Sequence, residues 1–448
     1  MIKPNTKRCC LRASLAVYAL VAGVPHAACQ TPPAPESQTV KFQIVSLLNE
    51  WGPAISSLVE VTPGTFYFIA GSNPQAVVSI TPQGTKNPLA TLAGVQLPSG
   101  LVSGANGRYY SALQPEDIRT GNIFSVGSLP GKEVYPAQTI LPVLIQNLPD
   151  GDMLGIGINS AATNWYVTTS NPEGTVTPLY QLPYPEREST AIYATDGSYY
   201  GISTLHDGSG YLYQLTPSGL LTKMLSFPAN SLLGLPTPLL QADDGNLYGM
   251  TPSGGASANG TIYKLTLSGD YTLLYTFPDD IHASPDELLE AGDGNLYGLR
   301  VGAYGLGGRS QVFRITKSGE YTTLITLPPG LCGCVLTLGS DGLFYGTTLA
   351  SGPDGSGGFF TLDVGLPKPP PWAATFTPLA GSAGTQVLIW GRNLFSSSVQ
   401  FNGVEATAVS SSGSNYLWAT VPAGATTGPI TITTPAGTMT TRDSFTVR

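Results

Sequence analysis

The stretch 244–249, Asp-Gly-Asn-Leu-Tyr-Gly, decides the fold because it recurs along the chain with little change. It returns at 293–298 without any change and, more loosely, at five other places. The turn glycines lie at positions 64, 107, 151, 197, 245, 294 and 342, so successive copies stand 43 to 49 residues apart. Seven copies at a period of forty-odd residues match the length of a four-stranded propeller blade.

Each repeat unit is predicted to contain four strands. In the fifth unit these are 238–242, 246–251, 261–266 and 271–277. The first two are joined by Asp-Gly, for which we expect a two-residue hairpin turn with positive φ at both central residues. In the third strand Tyr263 and Leu265 alternate with polar neighbours, which is the period of a strand and not of a helix.

The two ends of the repeat region complement each other. The seventh unit has three predicted strands, the last at 358–364, and then runs into a Pro-rich linker. Residues 39–48 form a strand that belongs to no unit. If this N-terminal strand completes the last unit, the ring closes and leaves no long exposed edge. The sequence therefore predicts an all-β fold, with a seven-bladed β-propeller over 39–365 closed by the N-terminal strand.

A second module follows the Pro-rich linker at 366–371, which is expected to be stiff and extended. In residues 372–448, Val387 alternates with Ile389 and Ile430 with Ile432, as half-buried sandwich strands require. The pair Asn402-Gly403 predicts another tight turn. These features predict a β-sandwich.

Two parts of the sequence resemble known families. The phrase Asp-Gly-Asn-Leu-Tyr-Gly-Met-Thr, followed by Gly-Thr-Ile-Tyr-Lys-Leu, makes 238–364 similar to the Gloeobacter/Verrucomicrobia-type (GloVer) extracellular repeat. That resemblance implies an exported bacterial protein, often surface-anchored, and brings no catalytic residues. The order of motifs in 372–448 resembles an IPT/TIG domain, which implies that the β-sandwich is immunoglobulin-like. With Arg392, Arg442 and Arg448 as its basic residues, a spacer or extracellular interaction module fits this domain better than a DNA-binding one.

The N-terminus predicts export. Four basic residues precede the apolar run 13–24, and small residues follow it, so 1–28 is interpreted as a signal peptide and 29–38 as a Pro-rich tether. The ending Ala-Ala-Cys29 resembles a lipoprotein signal, although His26 departs from that pattern, so a lipid anchor on Cys29 stays open. We expect no transmembrane helix in the mature chain and a location outside the cytoplasm, either secreted or at the surface or periplasm of a bacterium.

Charge and cysteine content limit the partners. The formal net charge is −8 and the pI is about 4.9, which argues against nucleic acid because phosphate binding needs a basic face. Cys332 and Cys334 form a C-x-C pair on a predicted strand end, where direct bonding has poor geometry. We interpret them as packing residues and leave their role open.

The search for catalytic motifs gives little. The chain has no G-x-S-x-G, Walker A or H-E-x-x-H sequence, and export leaves two histidines, too few for a three-His zinc site. The recurring acids of the repeat are interpreted as turn residues, not as catalytic carboxylates: Asp196, Asp244, Asp293 and Asp341. No catalytic residue, metal or cofactor is predicted.

The loops that do not repeat are the predicted binding surface. Turns between strands one and two, and between three and four, are short and uniform, whereas the remaining loops vary and share one rim. Aromatic residues beside charged ones on that rim suit a carbohydrate or a cell-surface protein. The candidate ligand-binding residues are Trp51, Asp117, Arg119, Trp165, His206, Asp279, Asp280, His282 and Arg309, with Glu116, Glu186, Arg187 and Tyr304 nearby on the same rim.

Three functions remain open at this point. The first is a non-catalytic, exported interaction protein that binds through the loop-rich rim. The second is an exported propeller enzyme, a lyase or hydrolase of a polysaccharide or lactone, with its site at the central channel. The third is a structural spacer in a surface assembly. Fold cannot separate them, because propellers host all three.

Overall fold

A computed structural model provides the structure. It describes residues 40–48, 56, 58–71, 74–92, 95–96, 100–115, 122–127, 131–135, 140–159, 161, 163–182, 187–205, 207–232, 238–278, 283–302, 309–328, 331, 333–348, 357–395 and 397–448. Strands and turns account for the regular structure of these residues, and none of them lies in a helix. The all-β prediction is therefore confirmed for the described part of the chain.

Seven antiparallel sheets occupy the described residues up to Asp363, and we number them 1 to 7 along the chain. The first strand, β1 (Lys41–Leu47), belongs to sheet 7. Sheet 1 contains β2 (Val59–Thr62), β3 (Thr65–Ala70), β4 (Gln75–Ile80) and β5 (Lys86–Leu92), and sheet 2 contains β6 (Val95–Gln96), β7 (Val102–Ser103), β8 (Tyr109–Pro115), β9 (Asn122–Val126) and β10 (Lys132–Val134). Sheet 3 contains β11 (Ile140–Asn147), β12 (Met153–Asn159), β13 (Trp165–Ser170) and β14 (Val176–Gln181), and sheet 4 contains β15 (Arg187–Tyr193), β16 (Tyr199–Thr204), β17 (Gly210–Leu215) and β18 (Leu221–Phe227). The strands of sheets 5 to 7 are β19 (Leu240–Gln241), β20 (Leu247–Thr251), β21 (Thr261–Leu265), β22 (Tyr271–Thr276); β23 (Ala283–Glu290), β24 (Leu296–Gly302), β25 (Gln311–Ile315), β26 (Tyr321–Thr326); β27 (Gly333–Leu338), β28 (Phe344–Thr348), β29 (Gly358–Asp363).

The N-terminal strand completes sheet 7, as the sequence predicts. β1 lies antiparallel to β29, with Lys41 opposite Asp363 and Leu47 opposite Gly358. The fourth strand of this sheet therefore comes from the other end of the repeat region.

Apolar side chains join each sheet to the next. One cluster connects each consecutive pair, and a further cluster connects sheet 7 back to sheet 1 through Phe66 and Tyr345, whose ring centroids are 4.4 Å apart. Representative pairs for the other junctions, from sheets 1–2 to sheets 6–7, are Val77 and Phe124, Tyr110 and Met153, Val167 and Tyr213, Leu212 and Leu247, Met250 and Phe313, and Leu299 and Phe344.

A polar contact repeats at three of these junctions. A Gln or Glu at the end of a first strand accepts a hydrogen bond from a turn N–H of the preceding sheet. Gln241 accepts from Thr195 N at 2.9 Å, and Glu290 accepts from Asp243 N at 2.8 Å. Glu60 of sheet 1 accepts from Ser340 N of sheet 7 at 2.8 Å. The junction between the last and first sheets therefore uses the same contact as the junctions between sheets 4 and 5 and between sheets 5 and 6.

The repeated turn differs from the predicted one. Gly245 N donates to Ala242 O at 2.9 Å and Ala242 N donates to Asn246 O at 3.0 Å, which makes a three-residue loop with one left-handed residue, Gly245 at φ 81°. Asp244 does not have positive φ, so the predicted two-residue turn is wrong here; a type I turn with a glycine bulge replaces it. The prediction holds at Asn402 and Gly403, whose φ values are 48° and 86°.

Residues 372–448 form two more sheets. Sheet 8 has the order β30 (Trp372–Thr377), β32 (Gln386–Arg392), β36 (Tyr416–Thr420) and β35 (Val409–Ser412); sheet 9 has the order β31 (Ala380–Gly381), β38 (Gly437–Val447), β37 (Gly428–Thr434), β33 (Ser398–Phe401) and β34 (Val404–Glu405). Val387, Ile389, Ile430 and Ile432 are buried in the core between these sheets. The predicted half-buried pattern holds for β37, but β32 is buried on both faces, because Leu388 and Trp390 pack against residues of sheets 1 to 7. We call this pair of sheets the C-terminal module.

Candidate functional site

Sheets 1 to 7 have two opposite edges. We call the edge that holds the repeated glycine turns the turn end, and the opposite edge, where the second strand leads to the third, the loop end. Most of the predicted binding residues lie outside the described residues: Trp51, Glu116, Asp117, Arg119, Glu186, His206, Asp279, Asp280, His282 and Tyr304. Cys29 and Cys332 also lie outside them, and Arg187 is described as the first residue of β15.

Trp165 and Arg309 are the predicted contacts whose positions are described. Trp165 begins β13 at the loop end, where it is half-buried and packs on the apolar cluster between sheets 3 and 4. Arg309 is exposed just before β25 of sheet 6. Sheets 3 and 6 are not neighbours, so the described structure does not bring these two residues into one site.

The repeated aspartates have a structural task in the turn. Asp244 Oδ1 accepts from Asn246 N at 3.1 Å, and its Oδ2 accepts from the buried Tyr248 hydroxyl at 2.8 Å. The same Asp–Tyr hydrogen bond occurs in sheets 4, 6 and 7, between Asp196 and Tyr200 at 2.7 Å, Asp293 and Tyr297 at 2.9 Å, and Asp341 and Tyr345 at 2.7 Å. These contacts support the interpretation of the aspartates as turn residues.

An acidic pair on β23 escaped the sequence analysis. The register between β23 and β24 shifts between Pro285 and Glu287, so Asp286 is the extra residue of a β-bulge. Bulges re-aim side chains and are frequent near active sites. Asp286 is exposed as a whole residue. The protein around its carboxyl group nevertheless displaces water from that group, and this desolvation raises its pKa. The signal in the sequence is an Asp-Glu pair inside a first strand that is uncharged in units 5 and 7.

Glu287 is the more strongly perturbed of the two acids. Its Oε2 accepts a hydrogen bond from Leu336 N of sheet 7 at 2.6 Å. Burial and, to a smaller extent, the nearby charge of Asp286 raise its pKa, while the hydrogen bond from Leu336 lowers it, and together they bring the pKa to about 8. Glu287 is therefore mainly protonated at neutral pH, which is the state that a general acid needs.

The C-terminal module binds the turn end of sheets 2 and 3. Trp418 Nε1 donates to Ala105 O at 2.9 Å, and the Tyr416 hydroxyl donates to Leu148 O at 2.6 Å. The buried Trp390 donates from Nε1 to Asn147 Oδ1 at 3.1 Å. Ser412 Oγ adds a bond to Gly104 O at 2.7 Å. Residues 39–448 accordingly form one compact unit, so the linker does not hold the module away as a free spacer.

A charged cluster joins the module to sheets 5 and 6. Arg392 Nη2 lies 2.5 Å from Asp243 Oδ1 and 3.5 Å from Glu290 Oε2, and its guanidinium carbon lies 4.5 Å from the Trp372 ring centroid. Lys317 Nζ lies 2.5 Å from the other Glu290 oxygen. The Glu290 side chain is 2% exposed, and burial raises its pKa while Lys317 opposes that effect. Two cations and two carboxylates thus balance at this contact.

Three clefts lined by described residues lie where the module meets the turn end. One, of about 380 Å³, lies beside Asp341 and Lys368. The other two, of about 480 and 190 Å³, adjoin each other and share Trp372 as a lining residue.

The fold defines an all-β, propeller-like protein. A family model described as the Gloeobacter/Verrucomicrobia repeat matches residues 187–421, just over half of the chain. The chain belongs to that repeat family. The match covers the units with the sharpest repeats, as the sequence resemblance predicts, and extends into the C-terminal module.

Solved structures share the fold at low identity. A virginiamycin B lyase from Staphylococcus aureus is 14% identical with a TM-score of 0.54, over 72% of this chain and 99% of the lyase. A streptogramin B lyase is 16% identical with a TM-score of 0.51, over 72% and 97%. A fungal alcohol oxidase of the AA5 family, in complex with copper, is 12% identical with a TM-score of 0.51, over 91% of this chain and 99% of the oxidase. At such identities the likeness concerns fold alone.

No curated protein matches the sequence. Within the described residues, no helix has the length and apolar character of a membrane span. In the same residues, no three His, Cys, Asp or Glu side chains gather as a metal site would require.

Proposed function

We propose that this chain is an exported, non-catalytic interaction protein that binds a carbohydrate or another cell-surface partner at the loop end of a closed, seven-bladed propeller. The observation that carries the proposal is the unequal use of the two ends. In the described residues, every hydrogen bond between the C-terminal module and sheets 1 to 7 ends at the turn end. β1 begins and β29 ends at that same edge, so the chain enters and leaves these sheets there.

Three features support the closed ring. The seven sheets share apolar clusters in cyclic order, β1 completes sheet 7, and the Glu60–Ser340 contact repeats the one made by Glu290 and Asp243. The two sheets of the C-terminal module and their shared core support an IPT/TIG-like domain. The basic and apolar N-terminal stretch supports export, with cleavage after residue 28 and a lipid anchor on Cys29 as a further step.

A glycan array tests the binding proposal. The mature chain 29–448 is applied to the array, and the variants Trp165→Ala and Arg309→Ala are compared with it. The matched control is Arg448→Ala, because Arg448 is also an exposed arginine but lies on the C-terminal module, directly after β38 and outside the clefts where the module meets the turn end. We expect binding that at least one of the two loop-end variants weakens and that the control leaves unchanged. Binding that responds only to the control would place the ligand elsewhere, and no binding on the array would reject a glycan ligand.

One observation favours an enzyme as the second candidate. Asp286 and Glu287 lie on a first strand, and burial favours the protonated form of Glu287. A protonated acid next to a carboxylate can serve general acid–base chemistry in a hydrolase or lyase acting on a polysaccharide or lactone. Turnover of such a substrate that Asp286→Asn and Glu287→Gln both abolish, without loss of the fold, would establish this alternative. Equal turnover in wild type and variants would reject these residues as its catalytic pair.

A further inference from the structure

The two adjoining clefts beneath the C-terminal module have the make-up of a small-molecule site. They lie at the boundary between two modules, which is a common position for ligand sites, and the larger one, at about 480 Å³, has the volume of a typical small-molecule pocket. Apolar groups form much of the smaller cleft, among them Leu239, Leu240 and Trp390. Trp372 lines both clefts.

The Trp372 ring is held in place by charge. The guanidinium of Arg392 packs over the ring, and Asp243 and Glu290 of sheets 5 and 6 fix that guanidinium from the other module. A cation over the face of an aromatic ring is attracted to that ring, and this attraction restricts the movement of the ring. The half-buried ring therefore forms a fixed apolar wall between the clefts.

In the smaller cleft, the protein orients one hydrogen-bond donor that has no acceptor among the described residues. Gln146 Oε1 accepts from Tyr193 N at 2.8 Å, which fixes the orientation of its amide. Its Nε2 donates to no group among the described residues and is not buried. The neighbouring amides differ, since Asn147 binds Trp390 and Ser103, and Gln241 binds Thr195 and Gly245.

The charge around the clefts indicates an uncharged ligand. Arg392 and Lys317 are balanced by Asp243 and Glu290, and Arg442 and Asp443 add one charge of each sign to the larger cleft. At Arg392, Asp243 and Glu290 an anion or a cation would have to compete with an existing ion pair, and in the larger cleft the charges of Arg442 and Asp443 cancel in sum. A molecule with an apolar face and several hydroxyl groups meets no such competition.

We propose that these clefts form a second binding site, separate from the loop end, for a neutral sugar. The sugar ring lies against Trp372, and one of its hydroxyl oxygens accepts a hydrogen bond from Gln146 Nε2. The site requires both modules, because Gln146 belongs to sheet 3 and Trp372 to sheet 8.

Saturation-transfer NMR with the mature chain tests this site. The probes are the methyl glycosides of glucose, galactose, mannose and N-acetylglucosamine. We expect at least one glycoside to bind, and Gln146→Glu, which keeps the acceptor for Tyr193 and removes the donor, to weaken it about tenfold. Trp372→Ala should abolish binding, and Trp372→Phe should weaken it if the alanine variant fails to fold. Trp165→Ala, at the loop end, should leave it unchanged.

Two results would overturn the second site. One is the absence of saturation transfer from all four glycosides to the folded wild-type chain. The other is a bound glycoside whose affinity is unchanged by Gln146→Glu and Trp372→Phe but lost in Trp165→Ala, since that sugar would occupy the loop end. The second result would reject this site and support the loop-end proposal, so the two proposals fail separately.

Discussion

The turn ends of sheets 4 to 7 and those of sheets 2 and 3 are built from the same repeat but used differently. In sheets 4 to 7 the turn aspartate accepts a hydrogen bond from a buried tyrosine, as Asp341 does from Tyr345. In sheet 2 Asn106 takes the place of the aspartate, and in sheet 3 Leu154 takes the place of the tyrosine. Sheets 2 and 3 are also where Trp418 and Tyr416 of the C-terminal module bind.

This difference shows how the C-terminal module contacts the repeated turns. The turn of sheet 5 keeps the repeat sequence although it also contacts the module, because the module binds Asp243 while Asp244 makes the hydrogen bonds within the turn. In sheets 2 and 3 the module instead binds backbone carbonyls, those of Ala105 and Leu148. At the turn end, units 2 and 3 depart from the repeat sequence and their backbone carbonyls bind the module.

The largest expected effect is at the docking surface. Trp390→Ala removes a buried indole, its bond to Asn147 and its packing on Tyr193. Truncation of a buried aromatic residue typically costs ~3–5 kcal/mol, so we expect a loss of that size in the free energy of unfolding, measured by urea denaturation. The half-buried Trp165 at the loop end provides the control, and Trp165→Ala should cost clearly less. Equal losses of unfolding free energy in the two variants would contradict a larger stabilising contribution from the docking surface than from the loop end.

The next effect concerns a glycine inside the repeat. A Cβ at Gly298 would lie 2.2 Å from Phe313 Cζ and 2.6 Å from Glu287 O, between a ring and a backbone atom. Gly298→Ala should therefore cost ~1–3 kcal/mol of unfolding free energy. Gly294→Ala is the control, because its Cβ would meet nothing within 4 Å, although its φ of 77° carries a strain of its own. A Gly298→Ala chain as stable as wild type would show that the ring over the glycine is not tightly packed.

The half-buried acid Glu287 should make stability depend on pH. Its pKa is raised from 4.5 to about 8 in the folded chain, so the folded state binds a proton that the unfolded state has lost between these values. The free energy of unfolding should fall as pH rises from about 4.5 to 8, with a slope of up to ~1.4 kcal/mol per pH unit from this group. Glu287→Gln should reduce the slope, as measured by urea denaturation at pH 5 and pH 8. An unchanged slope would contradict the assignment.

The Asp–Tyr pair should have a smaller effect. Tyr345→Phe removes the hydroxyl that donates to Asp341 and keeps the ring packing, so we expect a loss of ~1 kcal/mol in thermal or urea unfolding. Tyr67→Phe is the control, because that tyrosine follows a turn without an aspartate. If both substitutions have the same effect, the pair does not support the turn.

The smallest effect is expected at Tyr263. Its hydroxyl is buried without a hydrogen-bond partner among the described residues, and the corresponding residues of sheets 6 and 7 are Phe313 and Phe360. Tyr263→Phe should therefore leave stability within ~0.5 kcal/mol of wild type or raise it slightly. A loss above ~1 kcal/mol would mean that this hydroxyl has a partner.

Much of the fold could be predicted from the sequence because it rests on local patterns. The repeat of 244–249 predicted the strands of each unit, and the unpaired strand at 39–48 predicted the pairing of β1 with β29. The turn type was wrong, because Asp-Gly also fits a type I turn with a glycine bulge, and the residues around the pair do not separate these choices.

The site was harder to predict, since it depends on contacts between distant parts of the chain. The role of Trp390 as an anchor on Asn147 spans two modules, and no local pattern encodes it. The bulge at Asp286 depends on register with β24, although its Asp-Glu sequence was visible. The loop-end predictions other than Trp165 and Arg309 lie outside the described residues or, at Arg187, are described only as the start of β15, and they stay predictions.

A double-mutant cycle between Trp390→Phe and Asn147→Ala tests the central claim, that the C-terminal module is bound to the turn end of sheets 2 and 3. Both single variants keep most of the packing, and the pair shares one hydrogen bond across the two modules. We expect a coupling energy of ~0.5–1.5 kcal/mol in the free energy of unfolding. A coupling of zero, with additive effects of the two substitutions, would mean that the modules do not meet through these residues and would contradict the account.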